Sequence, residues 1–371
     1  MTIGIIKEPK GESRVLMLAE TVKALTSSGI TVHVETGAGL FAFQSDESYT
    51  AAGAAIVSRT EAFSSDIVLA VHPPLGELKL LKPGTILSSV IPVNPETVSA
   101  LQEAKVTAFS LDLVPRITRA QTMDILSSMA TVSGYKAVLE AAFLSPSFFP
   151  MFMSAAGTIK PARVLILGAG VAGLQAISVA RKLGAIVEVF DVRSAVKTEA
   201  ESLGAKFIEV EGAREEQSAG GYAVEQSEEY KNKQKQLIHD HAVRSNIIIC
   251  TALIPGRKAP LLVSKNTVQQ MMPGSVIIDL AASSGGNCEL TKDHEIVVAH
   301  GVTIAGRSAY PSQTPVDASR MMGRNMLNFI KSLISPEKQI KLNFDDEIIH
   351  SACVVHNGEI ISERVKQLLK M

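Results

Sequence analysis

An α/β protein built on parallel sheets in two domains is the fold class predicted, and three observations predict it. Apolar segments of strand length alternate with helical segments through the first 110 residues. The same alternation resumes from Arg163 to about Gly306. At the head of that second series, Val164-Leu-Ile-Leu-Gly168-Ala-Gly170-Val-Ala-Gly173 sets three glycines where a parallel strand should turn into a helix. A chain of 371 residues also exceeds what one hydrophobic core ordinarily serves.

In the first domain the candidate strands are Ile3 to Ile6, Thr31 to Glu35, Ile67 to Val71, Thr85 to Ser88 and Val106 to Ala108. Ala19 to Ser27 and Pro95 to Glu103 have the composition of intervening helices, and together these segments read as one open twisted sheet. Between Leu111 and Ala130 the rhythm stops, and the polar character and Pro115 of that stretch argue against a buried strand. A helix is expected from Val132 through Ala142, where Tyr135, Val138, Leu139 and Ala142 recur at helical spacing and carry the chain into the second domain. There the expected strands are Arg163 to Leu167, Ile186 to Phe190, Lys206 to Phe207, Ile247 to Thr251, Ser275 to Asp279 and Val302 to Ala305. The polar interval Glu209 to Gln236 reads first as a long mobile loop and then as an exposed helix. A helix through Met321 to Ile330 should return the chain to the first domain, leaving a tail of small peripheral strands and a helix. The expected domains are therefore 1–131 with 312–371, and 132–311, each Rossmann-like, with an interdomain cleft.

Composition narrows the function. Lys and Arg total 36 against 37 Asp and Glu, so no net field favours nucleic acid or lipid. No apolar run reaches the length that crosses a bilayer, and the opening Met-Thr-Ile-Gly-Ile-Ile-Lys reads as a first strand rather than a secretory leader. Cys250, Cys288 and Cys353 lie far apart, which suits a reducing compartment. No metal site is expected: His239 and His241 stand two apart on a helix expected to be exposed, which does not put both on one face. Met271 with Met272, and Met321 with Met322, read as core or interface filling.

The glycines carry the chemistry. Gly168 makes the tight turn, Gly170 lets the backbone approach a pyrophosphate, and Gly173 lets the helix pack closely on the strand. The N-terminus of the helix expected over Leu174 to Leu183, with Val171, Ala172 and Gly173 leading into it, then offers N–H groups and a favourable dipole to phosphates. Asp191, leading Asp191-Val192-Arg193 at the end of the next strand, can accept hydrogen bonds from adenosine-ribose hydroxyls and would repel a 2′-phosphate, favouring NAD over NADP. Arg193 is able to pair with a phosphate, so that preference stays open, as does a glycine turn that only packs. Arg116, Arg119, Gln121, Asp124 and Ser127 gather polar groups within twelve residues, either to cap the next helix or to grip a nicotinamide and its ribose. Thr251-Ala252-Leu253-Ile-Pro255-Gly256 and Asp279-Leu-Ala-Ala-Ser-Ser-Gly-Gly-Asn287 follow strands at their C-terminal ends, as ligand contacts or as ordinary turns. His72 ends a first-domain strand, with or without chemistry.

These stretches, with Gly220-Gly-Tyr222, resemble over nearly the whole chain the NAD(H)-binding domain I, or alpha subunit, of proton-translocating nicotinamide nucleotide transhydrogenases. The resemblance implies that Arg116, Gln121, Asp124 and Ser127 position the nicotinamide and its ribose, with Gln121 near the hydride path; Arg116, Gln121 and Asp124 are then the catalytic candidates. It implies that Asp191 is the adenosine-ribose carboxylate and Tyr222 belongs to a mobile loop that closes over the nucleotide. It also implies a homodimer, an NADP(H)-binding partner domain or beta subunit, and a peripheral place on a membrane complex at its cytoplasmic or mitochondrial-matrix side. Two alternatives remain, a non-catalytic NADH-binding or sensing module and an enzyme like the related alanine dehydrogenases. Arg14 matches the substrate-carboxylate arginine of the latter, but His72 stands for their substrate lysine. Ser89-Val-Ile-Pro92 lacks their catalytic histidine, and Ser283 with Ser284 replaces their aspartate.

Overall fold

The chain lays down β1 (Thr2–Ile5), β2 (Thr31–Glu35), β3 (Ala55–Val57), β4 (Ile67–Leu69), β5 (Ile86–Ser89) and β6 (Thr107–Ser110) in its first third. A hairpin of β7 (Phe152–Ser154) and β8 (Gly157–Ile159) precedes β9 (Arg163–Leu167), β10 (Ile186–Phe190), β11 (Lys206–Ile208) and β12 (Ile247–Cys250). Then come β13 (Val276–Asp279), β14 (Ile296–Ala299), β15 (Val302–Gly306) and β16 (Cys353–Val355). The structure is a computed structural model, and it describes residues 1–210, 227–253 and 258–370. Two compact units result, one of Met1–Met129 with Pro311–Met371 and one of Ala130–Tyr310.

In the first unit the sheet order is β16-β6-β5-β4-β1-β2-β3, with every pairing parallel except that of β16 with β6. The chain moves outward from β1 through β2 and β3, then crosses to β4 on the other side of β1, which is the doubly wound order. Strands β4, β5 and β6 are buried along their whole length, as expected of parallel strands covered on both faces. One face carries Ile3, Ile5, Val32 and Val34 with Met322, Met326 and Phe329 of the helix Pro315–Ser332. The other packs Val68, Leu87 and Ala108 against Phe63 and Leu101. Each large side chain buried in this way contributes about 1.5–3 kcal/mol.

The second unit repeats the plan, with order β11-β10-β9-β12-β13-β15-β14 and only β14 antiparallel. Its register pairs Leu167 of β9 with Phe190 of β10 on one side and with Cys250 of β12 on the other. The direction of winding reverses between β9 and β12, so the residues just past Leu167, Phe190 and Cys250 meet where open α/β sheets bind ligands.

Several expectations need correction. The long helix is Ile125–Leu144 and starts inside the polar stretch, because the Asp124 carboxylate accepts from Ser127 N at 2.9 Å and caps it. Strand β16 is a short strand at the sheet edge, as expected of the tail, but it is not exposed, since Cys353, Val354 and Val355 are fully buried beside β6. The helix Glu228–Ala242 is exposed on one side only: His241 is buried, with Nδ1 2.7 Å from Glu188 Oε2. Strands β3 and β14 and the hairpin β7–β8 were not anticipated; they are short and half or fully exposed, so they lack an apolar run to mark them. The expected mobile loop falls largely on residues 211–226, outside the described residues, and Tyr222 lies there.

Candidate dinucleotide-binding site

Strand β9 delivers a buried run, Val164 to Leu167, into the glycine turn. Gly168 has φ of 106°, a left-handed conformation that disfavours a side chain, and an added Cβ would lie 2.6 Å from Thr251 Oγ1. At Gly173 a Cβ would come within 1.9 Å of the Gly168 carbonyl oxygen, so the helix Val171–Lys182 seats directly on the strand end. Gly134 of the helix Ile125–Leu144 packs equally tightly, with a Cβ 2.2 Å from the Ala172 carbonyl oxygen. Gly170 differs from all three: a Cβ there meets nothing within 4 Å. The backbone entering the helix therefore borders open space, beside first-turn N–H groups at Val171, Ala172 and Gly173 that have no intrahelical acceptor. About half a positive charge of helix dipole sits at the same point.

Asp191 follows β10, nearly buried, and its carboxylate is already engaged. Oδ2 accepts from Ala169 N at 2.7 Å and from Arg193 Nη2 at 2.6 Å, while Oδ1 accepts from Arg193 N and Nε, both at 2.9 Å. The carboxylate thus pins the glycine turn to the end of β10 and holds Arg193 alongside, with Val192 half-buried between them. Thr251 closes the other side: its N donates to Leu167 O at 2.8 Å and its Oγ1 to Gly168 O at 2.9 Å. Ala252 is half-buried and Leu253 exposed; residues 254–257 lie outside the described residues.

The segment from Asp279 to Asn287 is internally committed. Asp279 is fully buried and accepts from Ala281 N at 3.0 Å, Asn287 N at 2.8 Å, Cys288 N at 3.0 Å and Thr291 Oγ1 at 2.7 Å. Burial pushes its carboxyl above the usual range, and those donors oppose the shift. Asp279 therefore organises a turn, and Asn287, fully buried, joins that turn to Ala252. All three cysteines are free and buried, and burial raises each thiol, Cys288 to about 11, which suits packing rather than nucleophilic work.

The polar stretch of the first unit becomes a 3-10 helix, Thr118–Met123, followed by the capped helix. Asn325 Nδ2 donates to Thr122 O at 2.8 Å, and Arg119 makes a two-pronged pair with Asp346 at 2.8 and 2.7 Å, so Arg119 anchors the loop. Asp124 binds Ser127 through both N and Oγ, the latter at 2.6 Å. Arg116 and Gln121 stand exposed on the anchored loop.

A second polar cluster lies at the ends of β1 and β4, the point where winding reverses in the first sheet. A cavity of 430 Å³ opens there, lined by Lys7, Glu8, Arg59, His72 and Glu77 among others. Arg14 beside it is occupied: Glu12 takes its Nε at 2.8 Å and its Nη2 at 2.6 Å, and also lies 2.8 Å from His72 Nε2. Burial alone would raise the Glu12 carboxyl, but the hydrogen bonds of Arg14 and His72 outweigh it and hold the group far below the usual carboxylate range. A depressed folded-state value means that this stabilisation is complete above the ordinary value of 4.5 and drains away as pH falls below it. Glu12→Gln is accordingly expected to cost about 3 kcal/mol at neutral pH by stranding Arg14. Its thermal midpoint should then change less than the parent's between pH 5 and pH 3. Parallel curves for the two proteins would refute the assignment.

Among the described residues no cluster of three or more His, Cys, Asp or Glu is arranged to hold a metal. No helix among them is long and apolar enough to cross a membrane. The doubly wound sheet, the glycine turn at its reversal point and the carboxylate on the neighbouring strand define a dinucleotide-binding class of protein.

Comparison with known proteins places the chain within that class. The family described as "Alanine dehydrogenase/PNT" matches through its N-terminal domain over residues 4–133 and its C-terminal domain over residues 137–363. An NAD(P) transhydrogenase alpha-subunit protein from Rhodospirillum rubrum is 45% identical, with 97% of this chain and 98% of that protein covered. The solved structure of a transhydrogenase from Sinorhizobium meliloti is 38% identical with a TM-score of 0.89, covering 97% of this chain and all of that one. An alanine dehydrogenase from Staphylococcus saprophyticus is 31% identical over 100% of this chain and 97% of its own. The chain belongs to the alanine dehydrogenase/PNT family, and within it to the transhydrogenase alpha subunits.

Proposed function

We propose that this chain binds NAD(H) at the β9 turn and serves as the subunit of a proton-translocating transhydrogenase that exchanges hydride with NADP(H) held on a partner component. The observation that carries the reading is the open space at Gly170 beside free helix-start N–H groups, with the Asp191 carboxylate across the turn. These residues fit a dinucleotide: Gly168, Gly170, Val171, Ala172 and Gly173 receive the pyrophosphate, and Asp191, Val192 and Arg193 receive the adenosine ribose. Thr251, Ala252 and Leu253 border the nucleotide from β12. The nicotinamide end falls to Arg116, Gln121, Asp124 and Ser127, and closure over it to Tyr222, on family resemblance. Bound NADH supplies the hydride; the protein's part is to orient and to exclude water, which is how positioning lowers such a barrier.

An alanine dehydrogenase-like activity is disfavoured by the side chains present. Arg14 is retained, but Ser89-Val-Ile-Pro92 lacks the catalytic histidine of those enzymes and Ser283 with Ser284 stands where their aspartate should be. A sensing module would keep the binding site and lose only the transfer. The homodimer is implied by family membership, and the exposed side chains Phe143, Phe148, Met151, Phe152, Met153 and Ile159 at and before the hairpin are of the kind that interaction surfaces cover. Calorimetric titration of the purified chain, with its sedimentation measured in parallel, tests the reading. It predicts NADH bound more tightly than NADPH by a dimer; no NADH binding, or a preference for NADPH, would overturn it.

A further inference from the structure

We infer that Asn287 is a positioning residue of the dinucleotide site, holding the turn Thr251–Leu253 against the glycine turn; the inference rests on the NAD(H) reading above. Its side chain reproduces the pairing of a neighbouring strand. Oδ1 accepts from Ala252 N at 3.1 Å, and Nδ2 donates to Ala252 O at 2.8 Å and to Pro260 O at 2.8 Å. Strand β12 ends at Cys250, so Ala252 lies beyond its ladder, and the amide of Asn287 takes up both of its backbone groups.

The backbone of Asn287 is equally fixed. Its N donates to Asp279 Oδ2 at 2.8 Å, and its carbonyl accepts from Leu262 N at 2.8 Å and Val263 N at 2.9 Å. A continuous series of bonds therefore runs from Asp279 through Asn287 and Ala252 to Thr251, and from the Thr251 hydroxyl to Gly168 O. The placement of Gly168 relative to Thr251 is set by groups on the far side of β12 from the helix Val171–Lys182. Only an amide fits the role. Aspartate keeps the shape and the acceptor for Ala252 N but turns a charged oxygen on two carbonyls, and an apolar residue strands all three groups.

Parent chain and Asn287→Asp are titrated with NADH, each Kd being referred to the folded fraction measured by circular dichroism. The hydride-transfer rate at saturating NADH is then read with a purified transhydrogenase NADP(H)-binding domain present. The Kd for NADH should rise tenfold or more while the saturated rate falls by less than threefold, because the turn borders the nucleotide away from the reacting carbon. A merely structural role would reduce the folded fraction and leave the Kd of the folded protein at the parent's value, and that result overturns the inference. Asn287→Ser, uncharged and smaller, gives the second reading, with a rise of threefold or more expected and an unchanged Kd contradictory. Failure of the parent itself to bind NADH would sink the nucleotide reading, whereas a binding parent with unaffected variants sinks only the role of Asn287.

Discussion

Replacing Asp191 by alanine is expected to weaken NADH binding by roughly ten- to a hundredfold, the worth of one or two hydrogen bonds to a charged group. NADPH binding should fall less. The carboxylate holds Ala169 N and both ends of the Arg193 fork, so its removal loosens the glycine turn and releases a guanidinium. A released Arg193 suits a 2′-phosphate, for which planar, charge-assisted recognition is strong. The ratio of the two affinities is therefore the informative quantity, read by titrating parent and variant with each nucleotide. An equal loss for both would mean that Asp191 supports the turn without choosing the cofactor.

Gln121→Asn is expected to slow hydride transfer by tenfold or more while NADH affinity stays within twofold of the parent. Gln121 stands exposed on a 3-10 helix that Asn325 and the Arg119–Asp346 pair tie down, so shortening it should not disturb the loop. Retracting its amide by one methylene, about 1 Å, matters only if it orients reacting atoms, where such a displacement costs on the order of a hundredfold. Stopped-flow transfer rates in the presence of an NADP(H)-binding partner decide the point. Equal rates for parent and variant would remove Gln121 from the catalytic group.

Much of this molecule was legible in its residues because parallel strands buried on both faces must be apolar throughout. Segments such as Arg163–Leu167 and Ile186–Phe190 announce themselves, as do the helices Ala19–Ser27 and Pro95–Glu103. The glycine turn was legible for a related reason, since two of its three glycines meet contacts that leave no room for a Cβ. What escaped detection depends on partners distant in sequence. Strand β16 is three residues long and gains its burial from β6, some 250 positions earlier. His241 lies on a charged helix and is buried by Glu188, which periodicity does not reveal. The start of the helix at Ile125 was hidden because Asp124 serves a cap inside a stretch that reads as a loop.

Within the candidate site, residue type marked Asp191 and the glycines, but not the state of the carboxylate. That its oxygens already accept from Ala169 and Arg193, so that a ribose hydroxyl binds by displacing a bond from Arg193, is visible only in three dimensions. Asn287 escaped for the same reason: a polar residue after two glycines reads as a turn, and only its bonds to Ala252 and Pro260 distinguish it. Glu12 and Arg14, two apart in sequence, were legible as residues but not as a pair that closes on itself.

The role proposed for this chain is to present NADH to a second nucleotide held elsewhere. Its most direct test is the rate of hydride transfer from NADH to an NADP⁺ analogue after mixing with a purified transhydrogenase NADP(H)-binding domain, with the chain alone as control. Rapid transfer in the mixture and none in the control is the predicted result. Confirmed NADH binding with no transfer in the mixture would contradict the claim and leave a nucleotide-binding module without the reaction.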